Sequence, residues 1–377
     1  MRVLQVGKFY PPDAGGVETG ARQMVEALTR LGHESAVLCF AGPGPYDDGS
    51  GPVPILRAAT WATISSQPLS LEYLLRLADL APRFDVLHVH WPNPLAAAAL
   101  WLIRPRAGIV LHWHSDVIGK QALKALISPF EAWLCRRADL VVGPTAVHLQ
   151  ASNRSALFAG KGAVVPFCVE PDAAAPGRLD PAALAAVRER TGGRRLVFAL
   201  GRLVPYKGFD VLIEAARRLP DDAAAVVGGG GPLAGELARR IETAGLGRKV
   251  LLAGRIPDAE LPAWFAACDV FCLPSVTRAE MFGIVQLEAM AWGKPVVSAA
   301  IAGSGVPAVN RHGETGLIVP PGDASALGAA LATLLADPAL AARLGQGGRQ
   351  AVSTRYSPAA VSQALGEAYA RLDISAP

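Results

Sequence analysis

Short runs of Val, Leu and Ile alternate along the chain with longer Ala-, Leu- and Arg-rich segments whose apolar positions recur at helical spacing. That pattern predicts repeated β-α units on parallel sheets. Strands are predicted at 2–6, 35–40, 53–56, 85–90, 109–112, 140–142 and 163–165. The pattern breaks over 170–194, a Pro-, Ala- and Arg-rich stretch that reads as a linker running into a short helix at 181–190. A second series then gives strands at 196–200, 224–227, 250–253, 270–273, 295–298 and 317–319, followed by helices at 326–335, 338–352 and 358–372. Two α/β domains follow, 1–172 and 195–357, joined by 173–194, with 358–377 a segment that can pack back on the first.

The length of 377 residues suits two domains of about 150 residues each with substantial cores. Apolar residues make up 51% and charged residues 18%, which excludes a disordered chain. The formal charge of +4 comes from 36 basic and 32 acidic side chains that interleave without long like-charged runs, so no nucleic-acid partner is expected. Cys39, Cys135, Cys168, Cys268 and Cys272 form no CxxC pair, which argues against a metal cluster or a disulfide framework and for a reducing compartment. The start of the chain carries no basic head and apolar core of a signal peptide, and the best apolar stretch, 94–103, is about half a bilayer span. The expected location is cytoplasmic, either soluble or peripheral on a membrane.

In open parallel sheets ligands bind beyond the carboxyl ends of the strands, and six loops there carry candidate chemistry. After the first strand, Gly15-Gly16 opens a helix expected at 19–31, and a double glycine lets backbone amides approach an anion; a plain tight turn is the alternative. His112 and His114 share a face after the fifth strand, and His114, nearer the loop, is the stronger candidate for a sugar hydroxyl. His88 and His90 are rivals, and each of these rings could instead satisfy buried backbone. In the second half, Gly201-Arg202 with Lys207 brings two cations to one strand end, a pair suited to a diphosphate or, alternatively, a solvated surface pair.

The run Gly228-Gly229-Gly230-Gly231 leads into a helix expected to start at Pro232 and leaves backbone bare for a nucleotide; a flexible turn would read the same way. The most informative stretch is 278–295. Glu280 lies in a loop, Gly283 and Ile284 begin a helix whose amides can face a phosphate, and Glu288 projects from its second turn. Two carboxylates beside an anion site are costly unless each finds a hydroxyl or a cation. The turns at Gly303-Ser304-Gly305 and His312-Gly313 match no nucleophile elbow, and Walker, GxGxxG and HExxH motifs are absent from the sequence.

Taken in order, the double-glycine loop, His114, Gly201-Arg202 with Lys207, the Gly228–Gly231 run and Glu280 separated by seven residues from Glu288, with Phe282-Gly283 among them, resemble the family 4 retaining glycosyltransferases. The resemblance spans about 3–323. It implies a GT-B fold: two doubly wound, Rossmann-like parallel-sheet domains facing across a cleft, the second holding a nucleotide sugar and the first the acceptor. It implies that Arg202 and Lys207 neutralise the donor diphosphate, that Glu288 binds ribose, that Glu280 and His114 contact the sugar, and that Gly15, Gly16, Gly230, Phe282, Gly283 and Ile284 line the donor site. No cofactor or metal is required in that scheme. Met281 departs from the family pattern, where a smaller residue is common.

His114-Ser115-Asp116 and Gly305-Val306-Pro307 with Asn310 and His312 are similar to bacterial exopolysaccharide and O-antigen transferases, including mannosyltransferases. The expected reaction moves a hexose from GDP-mannose or a UDP-hexose to a glycan or polyprenyl-linked oligosaccharide. A sugar-nucleotide epimerase, a glycan phosphorylase or a silent sugar-nucleotide-binding module remain alternatives. Lys120, Lys124, Arg136 and Arg137 beside Leu123, Ile127, Phe130 and Trp133 predict either an interfacial helix against the inner membrane or an ordinary packed one.

Overall fold

The computed structural model describes residues 1–373 except 14, 43–50, 65, 118–120, 173–176 and 178, with backbone only at 121–123. The chain divides into two compact units, Met1–Phe167 with Pro358–Pro377, and Cys168–Ser357.

In the first unit seven strands form one sheet in the order Ile55–Ala58, Glu34–Phe40, Arg2–Val6, Val86–Trp91, Gly108–Trp113, Leu140–Gly143, Gly162–Val164. Every pairing is parallel. The strand expected at 53–56 lies two residues later, because the paired register runs from Val37 with Ile55 to Phe40 with Ala58. A small antiparallel pair, Ala62–Ile64 with Gln67–Leu69, was not legible in three-residue strands.

The two faces of this sheet differ. Leu4, Val6, Leu87, Val89, Trp91, Ile109, Leu111 and Trp113 belong to an apolar core with residues of the helices Leu71–Leu80, Pro94–Ile103 and Gln121–Arg137. The alternate positions carry Gln5, His88, His90 and His112, all fully or almost fully buried. On that side lies the helix Gly16–Arg30, which starts three residues before the expected 19. The last helix, Pro358–Tyr369, is also part of this unit: Tyr369 reaches His88, and Arg371, just beyond it, donates to the carbonyls of Gly160 and Gly162.

The second unit repeats the architecture with six parallel strands ordered Val250–Gly254, Ala223–Gly228, Arg195–Leu200, Val270–Leu273, Val296–Ala299, Gly316–Val319. Both sheets are doubly wound: the chain starts mid-sheet, runs to one edge, then returns to build the other, leaving a switch point beside the first strand. Helix starts follow local chemistry. Asp323 and Asp337 side chains accept from the amides of Ala326 and Leu340, each at 2.9 Å, and Pro338 opens its helix. The Pro181–Arg190 helix, expected at the end of a linker, belongs to this second unit, and the Arg190 guanidinium lies 5.5 Å from the centre of the Trp264 ring.

No single helix among the described residues is long and apolar enough to cross a membrane. A bent pair, Ala324–Ala336 with Pro338–Arg355, passes on composition, but Leu327, Leu331, Leu334 and Leu344 are buried in the core of the second unit.

Candidate active site

At the switch point of the second sheet the loops after Arg195–Leu200 and Val270–Leu273 meet. The first carries Gly201-Arg202 and Lys207; the second carries Glu280. Lys207 Nζ lies 2.6 Å from Glu280 Oε2, with the two side chains only 12% and 10% exposed. Ser275 Oγ donates to the same oxygen at 2.9 Å. The loop is buttressed from behind: Ser304 Oγ donates to the Glu280 carbonyl, and the Gly305 amide to that of Met281 at 2.7 Å. Ser275 and Ser304 were not singled out as partners of Glu280, since nothing periodic links them to it.

Glycines let these loops touch. Gly208 is left-handed at φ 65°, and a Cβ there would stand 2.1 Å from the Pro274 carbonyl oxygen. A Cβ on Gly229 would stand 1.9 Å from the Gly201 carbonyl oxygen, so the glycine run packs backbone to backbone with the cationic loop. Hydrogen bonds from Gly201 N to Gly228 O and Leu203 N to Gly230 O close that seam. Gly230 itself is exposed, and the helix behind the run begins at Ala234, two residues later than expected. Arg202 is exposed on the cationic loop.

Gly283, left-handed at φ 71°, caps the helix Ile284–Ala291 and leaves its first amides without a side-chain cap, the arrangement that favours an anion. Phe282 is buried, edge-on to Tyr356 at 6.0 Å. Glu288 is half-buried and has no hydrogen bond or ion pair among the described residues. Burial pushes its carboxyl up to about 7, and the Asp258 carboxylate adds to the rise. The two carboxylates thus meet the cost of burial differently: Glu280 has a cation and a hydroxyl, while Glu288 has neither and its carboxyl is pushed up instead.

A raised carboxyl pKa means that the folded protein binds this proton more tightly than the unfolded chain. The stability it contributes is full below the ordinary value of 4.5 and is lost as pH rises through about 7. Glu288→Gln is therefore expected to unfold at a higher temperature than the wild type at pH 8 and to lose that advantage by pH 4.5. Equal differences at both pH values in thermal melts would refute the assignment.

In the first unit Gly15 precedes the Gly16–Arg30 helix in extended backbone, and Glu18 folds back so that a Cβ on Gly15 would meet Glu18 Oε2 at 2.1 Å. A carboxylate of the chain itself lies against the double-glycine turn. Burial raises its pKa, and its own amide opposes the rise. Arg57, 5% exposed, donates to the carbonyls of Tyr10 and Pro11 and pairs with Asp13 at 3.6 Å, holding the loop before the glycines. This role was not read from the sequence.

His114, expected near an open loop, is fully buried. It stacks on His112 at 4.1 Å and 7° and on Phe167 at 5.9 Å, beneath Gly20 of the Gly16–Arg30 helix. Ligand nitrogens of His88, His90 and His112 lie within 4.8 Å of one another. Both nitrogens of His88 and both of His90 already face protein partners, so the trio is a hydrogen-bonded array with little left to offer a cation. Asn310 and His312, quoted for a narrower resemblance, are structural: Asn310 donates to Ser298 Oγ and the carbonyls of Val296 and Leu317, and His312 Nδ1 accepts from the Ile318 amide.

The helix expected to carry a basic rim is Gln121–Arg137, with Lys120 and the side chain of Leu123 outside the described residues. Ile127 is buried and Phe130 and Trp133 pack on the core, so these apolar residues face inward. The exposed ones nearby are Leu126, Trp101 and Leu102 at 69%, 38% and 68%.

Residues 183–351 match the family described as glycosyl transferases group 1, and residues 14–173 match glycosyltransferase family 4. The chain is 30% identical to the O-antigen chain mannosyltransferase C of Escherichia coli, over 93% of both chains. It belongs to the family 4 glycosyltransferases. A second relative of this glycosyltransferase, the GDP-mannose-dependent alpha-(1-6)-phosphatidylinositol monomannoside mannosyltransferase of Mycolicibacterium smegmatis, is 35% identical over 92% of each chain. Among solved structures the fold is similar to Anabaena HepE in complex with UDP, with a TM-score of 0.79 and 22% identity, over 99% of this chain and 100% of that one. The family 4 glycosyltransferase thus carries the GT-B fold that the two doubly wound sheets build.

Proposed function

We propose that this glycosyltransferase moves a hexose, with retention, from GDP-mannose or a UDP-hexose to a hydroxyl of a glycan or lipid-linked glycan in cell-surface polysaccharide synthesis. The observation that carries the reading is the buried Lys207–Glu280 pair at the switch point, flanked by backbone packed through glycine. The relatives' names, an O-antigen mannosyltransferase and a GDP-mannose-dependent glycolipid mannosyltransferase, support the substrate class.

Arg202, Lys207 and the first amides of Ile284–Ala291 would stabilise charge developing on the departing diphosphate, where fixed donors in a water-poor site are most effective. Lys207 would be shared between the diphosphate and Glu280, freeing the carboxylate to accept from sugar hydroxyls. The half-buried Glu288 would accept two ribose hydroxyls, an arrangement that favours its ionised form. In the second unit Gly230 would leave open backbone and Phe282 and Gly283 would shape the loop beside it; in the first, Gly15 and Gly16 would offer backbone to an anion that displaces Glu18. The departing phosphate oxygen would take the acceptor's proton, so no metal or cofactor is needed.

The test is turnover of GDP-mannose, UDP-glucose and ADP-glucose with a lipid-linked glycan, with the anomeric configuration of the product read by NMR. An α-linked product from an α-donor, formed in excess chelator, supports the reading. Phosphate-dependent glycan cleavage without nucleotide, or inversion, would replace it.

Peripheral membrane contact is part of the same proposal. Arg104 lies 5.7 and 5.8 Å from the Trp101 and Trp133 ring centres, and with exposed Leu102 and Leu126 it makes an amphipathic patch suited to an anionic interface. Full-length protein should co-sediment with anionic vesicles at low salt, and Leu102→Glu with Leu126→Glu should abolish this. Absence of wild-type binding would discard the contact.

A further inference from the structure

Glu280 uses its two carboxylate oxygens unequally. Oε2 takes both protein donors, Lys207 Nζ at 2.6 Å and Ser275 Oγ at 2.9 Å, while Oε1 has no partner among the described residues and is not sealed in the interior. The two donors differ in kind. Lys207 is an ammonium on a flexible stem with three hydrogens, and a diphosphate arriving beside it would draw it by charge. Ser275 is neutral and fully buried, and its one hydrogen bond among the described residues goes to Glu280. An anion exerts no such pull on it.

Backbone on both flanks fixes the serine. The Pro274 carbonyl lies against Gly208, and the Val276 amide donates to the Tyr206 carbonyl at 2.9 Å, so Ser275 is tied on each side to the loop that carries Lys207. Glu280 is held through its own backbone, its amide donating to the Thr277 carbonyl at 3.0 Å and its carbonyl accepting from Ser304 Oγ. With both main chains fixed, the serine hydroxyl decides how the carboxylate is turned. All of these residues lie in the second unit.

We propose that Ser275 is a positioning residue: it keeps Oε2 of Glu280 occupied when Lys207 turns to the donor diphosphate, so that Oε1 goes on facing the substrate. This rests on the donor-side role given above to Lys207 and Glu280. Without the hydroxyl, a carboxylate would follow the departing ammonium instead of staying with the sugar. The effect falls on the rate at saturating donor, because diphosphate affinity comes from Arg202, Lys207 and the helix amides, whereas the aim of Glu280 matters to the step that follows.

The test is steady-state transfer by full-length wild type, Ser275→Ala, Glu280→Ala and the double variant, with whichever of GDP-mannose and UDP-glucose the wild type turns over. Ser275→Ala should lower kcat about tenfold or more, the usual cost of losing a hydrogen bond to a charged group, with the donor KM within about twofold of wild type. Ser275→Thr, which keeps the hydroxyl, should recover most of that loss. In Glu280→Ala the serine has nothing left to hold, so adding Ser275→Ala should change kcat by less than about twofold. A serine that merely supports the fold would lower both backgrounds alike, and that result overturns the proposal. Should Ser275→Ala be too unstable to assay, Ser275→Cys, a weak donor, takes its place in the same cycle.

The failures are distinguishable. Lost turnover in Glu280→Ala with wild-type kcat in Ser275→Ala overturns the positioning role and leaves the donor reading standing. Wild-type kcat in Glu280→Ala, or turnover of neither sugar nucleotide by the wild type, overturns the donor reading and the proposal with it.

Discussion

Glu280→Gln and Lys207→Ala are each expected to lower turnover at saturating donor by about two orders of magnitude or more, the usual cost of removing one preorganised transition-state contact. The two groups form a buried ion pair at 2.6 Å, so either change leaves its partner uncompensated in a water-poor site. Ser275 would still donate to position 280 in the glutamine variant, so that loop should keep its place and the loss should fall on kcat. Because the residues act as a unit, the double variant should lose far less than the product of the single losses. Near-normal rates in both single variants would remove this pair from the chemistry.

Gly208→Ala should be strongly damaging to the second unit. The residue needs left-handed backbone, and its Cβ would collide with the Pro274 carbonyl that brings the Glu280 loop against the Lys207 loop. Strain of this kind costs about 1–3 kcal/mol before the collision is counted. The loops must also part, so a melting point lowered by several degrees should accompany a loss of donor-induced stabilisation. By contrast Gly230→Ala, where a Cβ meets nothing within 4 Å, should melt as the wild type does. Similar behaviour of the two variants in thermal melts would contradict the account of how these loops are held.

The order of strands and helices was legible because burial on both faces writes near-continuous apolar runs, as in Ala223–Gly228 and Leu140–Gly143. The motif loops of the second unit were legible because a doubly wound sheet places functional groups after particular strands. Lys207 and Glu280 are 73 residues apart and still meet, since they follow the two strands flanking the switch point. What escaped was everything decided by partners rather than by period. Alternation put His112 and His114 on one face, but no spacing in the chain announces that Gln5 ends a hydrogen-bonded path through His90. Nothing in the sequence singles out Arg57, whose partners are the carbonyls of Tyr10 and Pro11. Ile127, Phe130 and Trp133 have a helical period that suits a membrane and a core equally, and the core took them.

The chain changes units twice, after Phe167 and again after Ser357, so the second unit is one uninterrupted stretch but the first cannot be cut out as one. Expressing 1–167 alone would remove the hydroxyl that His88 faces and the arginine that ties down the turn at Gly160 and Gly162. A tag or deletion at the carboxyl end would be felt at the amino-terminal sheet, nearly the whole length of the sequence away.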